Sequence, residues 1–291
     1  MHITVCRLAA ATALVTLLAS VADAHTILAS IKTDGKQYGV GECIRTWWKN
    51  PAGPVQDVQS LDLRCRTTDM DGSKTKTCPV SAGSEMTVTY VRVLKGDKGV
   101  ISQSHTGPVM VYIAPLASNG EGDVWVKIYE DGWTKESNEW GTDRLIASKG
   151  LLTFKIPANI KPGNYILRTE VIALHNASSK GGAQLFPNCI HVQITGTGTI
   201  ALPAGVAIPG YYKDTDPGIL YKRKKFGDNS NYIIPGPPLY KGSGGAPPAG
   251  GPTAGEPTSA GPQNAVVPVP TSKPACIKKR SKKRSRKRID F

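Results

Sequence analysis

Four histidines lie beyond residue 24 of this 291-residue chain: His25, His105, His175 and His191. His25 directly follows Ala22-Asp23-Ala24. An N-terminal histidine is chemically unusual, because its α-amine and its Nδ1 grip one metal ion together and close a six-membered ring. A free α-amine titrates near neutrality and gives up its proton readily to a metal. One further imidazole completes three nitrogen donors in a plane, a tetragonal set that suits Cu(II), whereas zinc favours a tetrahedral one. On residue identity alone, His25 is no more than the residue that follows a cleavage site.

The chemistry of His25 depends on what precedes it. Residues 1–24 read as a secretory signal peptide: Arg7, then the apolar run LAAATALVTLLASVA, then a small-x-small cleavage site. The run is short for a membrane span. A secreted chain starting at His25 is expected, and secretion permits disulfides. Cys6 leaves with the leader, so Cys43, Cys65, Cys78, Cys189 and Cys276 remain. The first four can pair in three ways. Cys276, in a polar tail, is the expected odd one.

The net charge of +14 is unevenly spread. Residues 273–291 carry ten Lys or Arg and a single acid, Asp290. A charge argument for nucleic-acid binding is therefore an argument about the tail, and no nucleic-acid partner is expected. The tail is read as a contact for anionic wall polymers or lipid headgroups. Residues 241–272 are rich in Gly, Pro and Ser and read as a linker, and residues 25–240 have globular composition.

Within 25–240 the signals are for strands. Runs at 85–93, 107–115, 123–132, 150–157, 163–175 and 189–196 are rich in Val, Ile, Tyr and Thr and separated by turn residues. No segment makes a long amphipathic helix. The expected fold is an all-β antiparallel sandwich, with 31–60 and 197–240 as long surface loops that carry function. No pair of carboxylates signals glycoside hydrolysis, which needs two facing one bond.

The motifs SQSHTGPVMVYIAP (102–115), DVWVKIYEDG (123–132), GNYILRTEVIALHNASSKGGAQLFPNCIHVQITG (163–196) and IPGYYKDTDPGIL (208–220), in this order, resemble the fungal lytic polysaccharide monooxygenases of auxiliary activity family nine, once classed as glycoside hydrolases. The resemblance covers about residues 25–222. It implies an immunoglobulin/fibronectin-like β-sandwich with a flat face and one copper ion. His25 then supplies the amine and Nδ1, and His105 the third nitrogen. His175 and Gln184 match the pair that steers oxygen species beside the metal. His191, within a strand, keeps a structural reading. The family usually carries tyrosine two residues after that glutamine, axial to copper. Here Phe186 stands there, which fills the axial space without offering a phenol.

The resemblance also implies a Cys65–Cys189 bridge, which leaves Cys43 with Cys78. Tyr212 matches a surface tyrosine that stacks on sugar rings, and Tyr38, Trp47 and Trp48 are candidates to extend that platform. Tyr211 is the alternative should the turn be rotated. Asn176-Ala-Ser178 is an N-glycosylation sequon beside His175. The implied activity is oxidative cleavage of cellulose or another β-glucan at C1, C4 or both, by a monomer using an external electron donor and O2 or H2O2. A second reading, from another class, is a non-catalytic copper-binding or cell-surface protein on the same scaffold.

Overall fold

The structure, a computed structural model, describes residues 26–46, 52–67, 69–95, 99–225 and 227–242. His25, Trp47, Trp48, Cys276, the expected leader, the basic tail and all but two residues of the expected linker lie outside the described residues.

Two sheets dominate. One runs in the order β2 (Lys36–Gly39), β1 (Ile27–Thr33), β4 (Glu85–Val91), β9 (Leu151–Lys155). The other runs β3 (Cys78–Ser81), β11 (Gln184–Thr195), β10 (Gly163–Ala173), β5 (Val109–Pro115), β6 (Val126–Asp131). A ribbon of β7 (Trp133–Thr134) and β8 (Glu139–Trp140) leads into the short helix α1 (Gly141–Ala147). The named strands pair antiparallel, except that β3 joins β11 in parallel. This is the expected sandwich, and the strand runs read from composition all appear within it.

Three features differ from expectation. The segment 31–60 begins inside β1 and turns at Asp34-Gly35, both at positive φ (46° and 78°), into β2. Asp-Gly between alternating residues is a strong hairpin signal. β11 starts at Gln184, five residues before the expected boundary, because Pro187 interrupts the pattern without ending the strand. Proline lacks an N–H, and the parallel partner β3 reaches only from Val192 to Thr195. Lastly, 197–240 is irregular but not merely superficial, since it buries Ile208, Tyr212, Ile219 and Tyr221.

Those burials explain why β10 is buried on both faces from Tyr165 to Ala173. Its alternate residues serve two cores. Leu167, Val171 and Ala173 face inward with Phe186 and Ile190 of β11, against Leu28, Val88 and Tyr90 of the opposite sheet. Ile166, Ile172 and Leu174 face outward, where Leu63, Ile208, Tyr212 and Tyr221 from irregular segments cover them. Disulfides join Cys43 to Cys78 and Cys65 to Cys189, the expected pairs.

His191 lies between those bridges, 3 % exposed, and accepts a 2.9 Å hydrogen bond at Nε2 from Arg45 Nε. Arg45 is itself held by the Met70 carbonyl and Asn119 Oδ1, with Asp69 nearby. Burial first, and the Arg45 charge second, push the His191 pKa down to about 4. The unfolded chain takes up this proton near pH 6.5, while the folded chain resists until about 4. Stability is therefore complete above pH 6.5 and falls as pH drops toward 4. At about 1.4 kcal/mol per pH unit, the loss is on the order of 3 kcal/mol. Denaturant midpoints at pH 7 and pH 4 should diverge less for His191→Gln, which keeps an acceptor for Arg45 but does not titrate. Equal acid sensitivity in both proteins would contradict this role.

Candidate functional site

The motif Ser104-His105-Thr106-Gly107-Pro108 lies alongside the end of β10. The Leu174 N–H donates to the Thr106 carbonyl at 2.9 Å and the Ile172 N–H to the Pro108 carbonyl at 3.1 Å. Gly107 allows this approach, because a Cβ there would stand 2.0 Å from the Ile172 carbonyl oxygen. On the other side, Ala173 pairs with Gln184 and Val171 with Phe186 in the β10–β11 ladder. Two residues apart on one strand, Gln184 and Phe186 share a face. Gly182 closes the intervening loop against the Asn176 carbonyl, where no Cβ fits. Three neighbouring strand ends thus deliver His105, His175, Gln184 and Phe186 to one end of the five-stranded sheet.

The rings of His105 and His175 lie 4.1 Å apart between centroids, tilted by 32°. Phe186, fully buried, lies 6.4 Å from His105. His105 is 4 % exposed and shares a 3.1 Å hydrogen bond between its Nδ1 and Ser104 Oγ. With Nδ1 so engaged, ligation through this imidazole falls to Nε2. His175 is half-buried, and burial first and the Arg223 charge second lower its pKa. It is therefore a neutral imidazole at neutral pH. Buried His175 Nδ1 and buried Gln184 Oε1 have no hydrogen-bond partner among the described residues. A buried polar atom left unpaired is costly, and two together mark a place built for a polar ligand.

Arg66 links this end of the sheet to the start of β1. Its guanidinium donates to the Thr26 carbonyl at 3.4 Å, to Asn188 Oδ1 at 3.2 Å and to the Gly53 carbonyl at 2.6 Å. It also lies 5.6 Å from the Phe186 ring centre. Thr26, the neighbour of His25, is fully buried. Burial lowers the Arg66 pKa to about 10, which leaves it charged at neutral pH. Nothing in the sequence LDLRCR marks this arginine as buried, and the sequence reading missed it.

Among the described residues, no group of three His, Cys, Asp or Glu side chains stands ready to hold a metal. The donor set fits copper on one condition, that His25 adds its amine and imidazole to His105. The fixed position of Thr26 and the two unpaired polar atoms agree with that set.

The expected sugar platform needs correction. Tyr212 is 1 % exposed, and its hydroxyl donates to Glu170 Oε2 at 2.8 Å while meeting Tyr112 OH at 2.6 Å. The buried Arg168–Glu170 pair needs that hydroxyl, so the ring points inward, and Tyr211 is the partly exposed one of the two. Tyr38 is also core. It pairs with fully buried Ile31 across the hairpin and is 8 % exposed, with Lys36 Nζ over its ring. Asn176 is exposed beside His175.

Comparison with known proteins agrees with these features. The AA9 family lytic polysaccharide monooxygenase A of Aspergillus niger is 40% identical over 225 residues, 76% of this chain and 54% of the relative. The chain thus spans about half the length of that curated relative. The solved structure of CvAA9A aligns with a TM-score of 0.68 at 33% identity, covering 74% of this chain and 98% of its own. A cellulose-active polysaccharide monooxygenase from M. thermophila aligns with a TM-score of 0.60 at 28% identity, covering 75% and 100%. Residues 25–232 match Auxiliary Activity family 9 (formerly GH61), and with the sandwich and its histidine pair in place the chain belongs to that family.

Proposed function

We propose that this chain, cut after Ala24 and secreted, is a copper-dependent polysaccharide monooxygenase that oxidises β-1,4-linked glucan at C1, C4 or both. One observation carries the reading. Two closely approaching imidazoles share a strand-end site with a buried phenylalanine ring and two unpaired buried polar atoms. Cellulose is the first substrate to test, since a relative of similar fold is a cellulose-active enzyme.

When bound, copper would accept one electron from an external donor and in its reduced form activate O2 or H2O2. The chain's own residues hold and shield that centre. His25 offers its amine and Nδ1, and His105 offers Nε2 with its ring fixed through Ser104. The fully buried Phe186 ring would help to keep water from the bound ion. His175 and Gln184 orient a small polar co-substrate through the atoms left unpaired in the protein. Inserting one oxygen atom into a C–H bond consumes H2O2, or O2 with two electrons and two protons. The hydroxylated carbon then expels the glycosidic oxygen and the chain breaks. Tyr211, at the rim, is the aromatic we assign to stacking on the sugar.

The test is mass analysis of products released from cellulose by copper-loaded protein with ascorbate and peroxide. Oxidised cello-oligosaccharides are expected, and none after chelation of copper. A protein that binds one copper yet releases no oxidised product from any β-glucan would instead be the non-catalytic copper binder.

A further inference from the structure

The segment Lys222-Arg223-Lys224-Lys225 puts four cations in a row, and none of the motifs above accounts for it. It lies against the candidate site. The Tyr221 N–H donates to the Ala177 carbonyl at 2.8 Å, two residues from His175, and the Arg223 charge is felt at His175. Lys222, Lys224 and Lys225 are exposed, and Arg223 is half-buried with Nε unpaired among the described residues.

A run of charges is ordinarily a solvated surface. This one is held in shape. Asn229, 2 % exposed, accepts from the Lys224 N–H at 3.0 Å and returns a bond to the Lys224 carbonyl at 3.0 Å. The Tyr221 hydroxyl, with its one proton, stands 3.1 Å from Oδ1 of the same Asn229 and 3.0 Å from Oδ1 of Asn231. The ion pairs among the described residues leave out Lys222, Arg223 and Lys224. Asp228 feels the Lys224 charge, but its pKa is lowered first by hydrogen bonds from Ser230 and only after these by Lys135 and Lys224. Across the 176–181 loop, Lys180 is satisfied by Asp214 at 3.4 Å.

Neutral glucan offers only hydroxyls, for which a strongly hydrated ammonium gains little. A carboxylate matches both the ammonium and the guanidinium. We propose that Lys222, Arg223 and Lys224 form a subsite for a carboxylate carried on the β-1,4-glycan, close to the bond that is cut. The inference rests on the polysaccharide monooxygenase reading and adds to it a preference for glycans that carry a carboxylate. The carboxylate has two sources: a uronate along the chain, or an aldonate at an end left by earlier oxidation.

Amine-acylation footprinting of the full-length protein separates the cases. The probes are C6-carboxylated cellulose, aldonate-ended cello-oligosaccharides, unmodified cellulose and phosphatidylserine vesicles. Lys222 and Lys224 should be protected about threefold or more by one or both carboxylated glycans, and the glycan that protects names the source. Unmodified cellulose should not protect them, and protection should vanish near 0.5 M NaCl, where the Debye length falls to roughly 4 Å. Lys222→Gln/Lys224→Gln, both exposed, should bind the protecting glycan about 3- to 10-fold more weakly, as expected for two surface charge contacts. It should bind and oxidise unmodified cellulose as before. The basic tail is common to both proteins and cancels. No protection, equal protection by unmodified cellulose, or protection by vesicles alone would overturn the subsite. In each of those cases, oxidised products from unmodified cellulose would leave the enzymatic reading intact.

Discussion

Glu170→Ala is expected to destabilise the protein by about 3–5 kcal/mol, the usual cost of stranding one partner of a buried ion pair. Glu170 and Arg168 are both fully buried on the outward face of β10. Arg168 Nη1 donates to Glu170 Oε2 at 2.8 Å and Nη2 to Oε1 at 2.5 Å, a bidentate pair. Arg168 also donates to the Leu63 carbonyl at 2.9 Å, and Tyr212 completes the carboxylate. Removing the carboxylate leaves a buried cation with only the Leu63 and Arg64 carbonyls to accept its hydrogen bonds. Tyr212→Phe removes one neutral donor and leaves the ion pair, so about 1–2 kcal/mol is expected. Urea midpoints at pH 7 check the ranking. A Glu170→Ala loss no larger than that of Tyr212→Phe would contradict it. The network matters to function because β10 runs from this pair directly to His175.

His105→Ala is expected to weaken copper binding by more than the roughly 10- to 100-fold that losing a supporting neighbour costs. His105 is the described residue to which ligation is assigned, and its ring is held by Ser104 and the His175 ring. Gln184→Ala makes the contrast. It removes a buried polar atom but no ligand, so affinity should fall far less while oxidised-product formation drops about 10- to 100-fold. Isothermal titration with copper, alongside product analysis, separates the two. Equal loss of affinity in both variants would mean that His105 only supports the site and does not bind the metal.

Much of this was legible in sequence. Runs rich in Val, Ile and Tyr between turn residues mark strands, whether they alternate, as β4 and β9 do, or are buried on both faces, as β5 is, so β4, β5, β6, β9 and β10 stand where composition put them. The histidines were legible for a different reason. Motifs such as HTGP encode a backbone requirement, the close packing of Gly107 on β10, together with the histidine we propose as a ligand. Tyr212 was illegible. Adjacent tyrosines look alike, and which one turns inward is decided by a buried carboxylate 42 residues away. Arg66 was hidden likewise, because burial of a charged side chain depends on partners as distant in sequence as Asn188. The clustered cations at 222–225 were overshadowed by the stronger run at the C-terminus.

The central claim is that removal of Ala24 creates a ligand. It is tested by titrating copper into two purified chains, one beginning at His25 and one retaining Ala24 as its first residue. The chain beginning at His25 should bind one copper tightly, with an electron paramagnetic resonance spectrum of nitrogen-rich tetragonal Cu(II), and the chain retaining Ala24 should lose that tight site. Equal affinity and the same spectrum in both chains would contradict the assignment of His25.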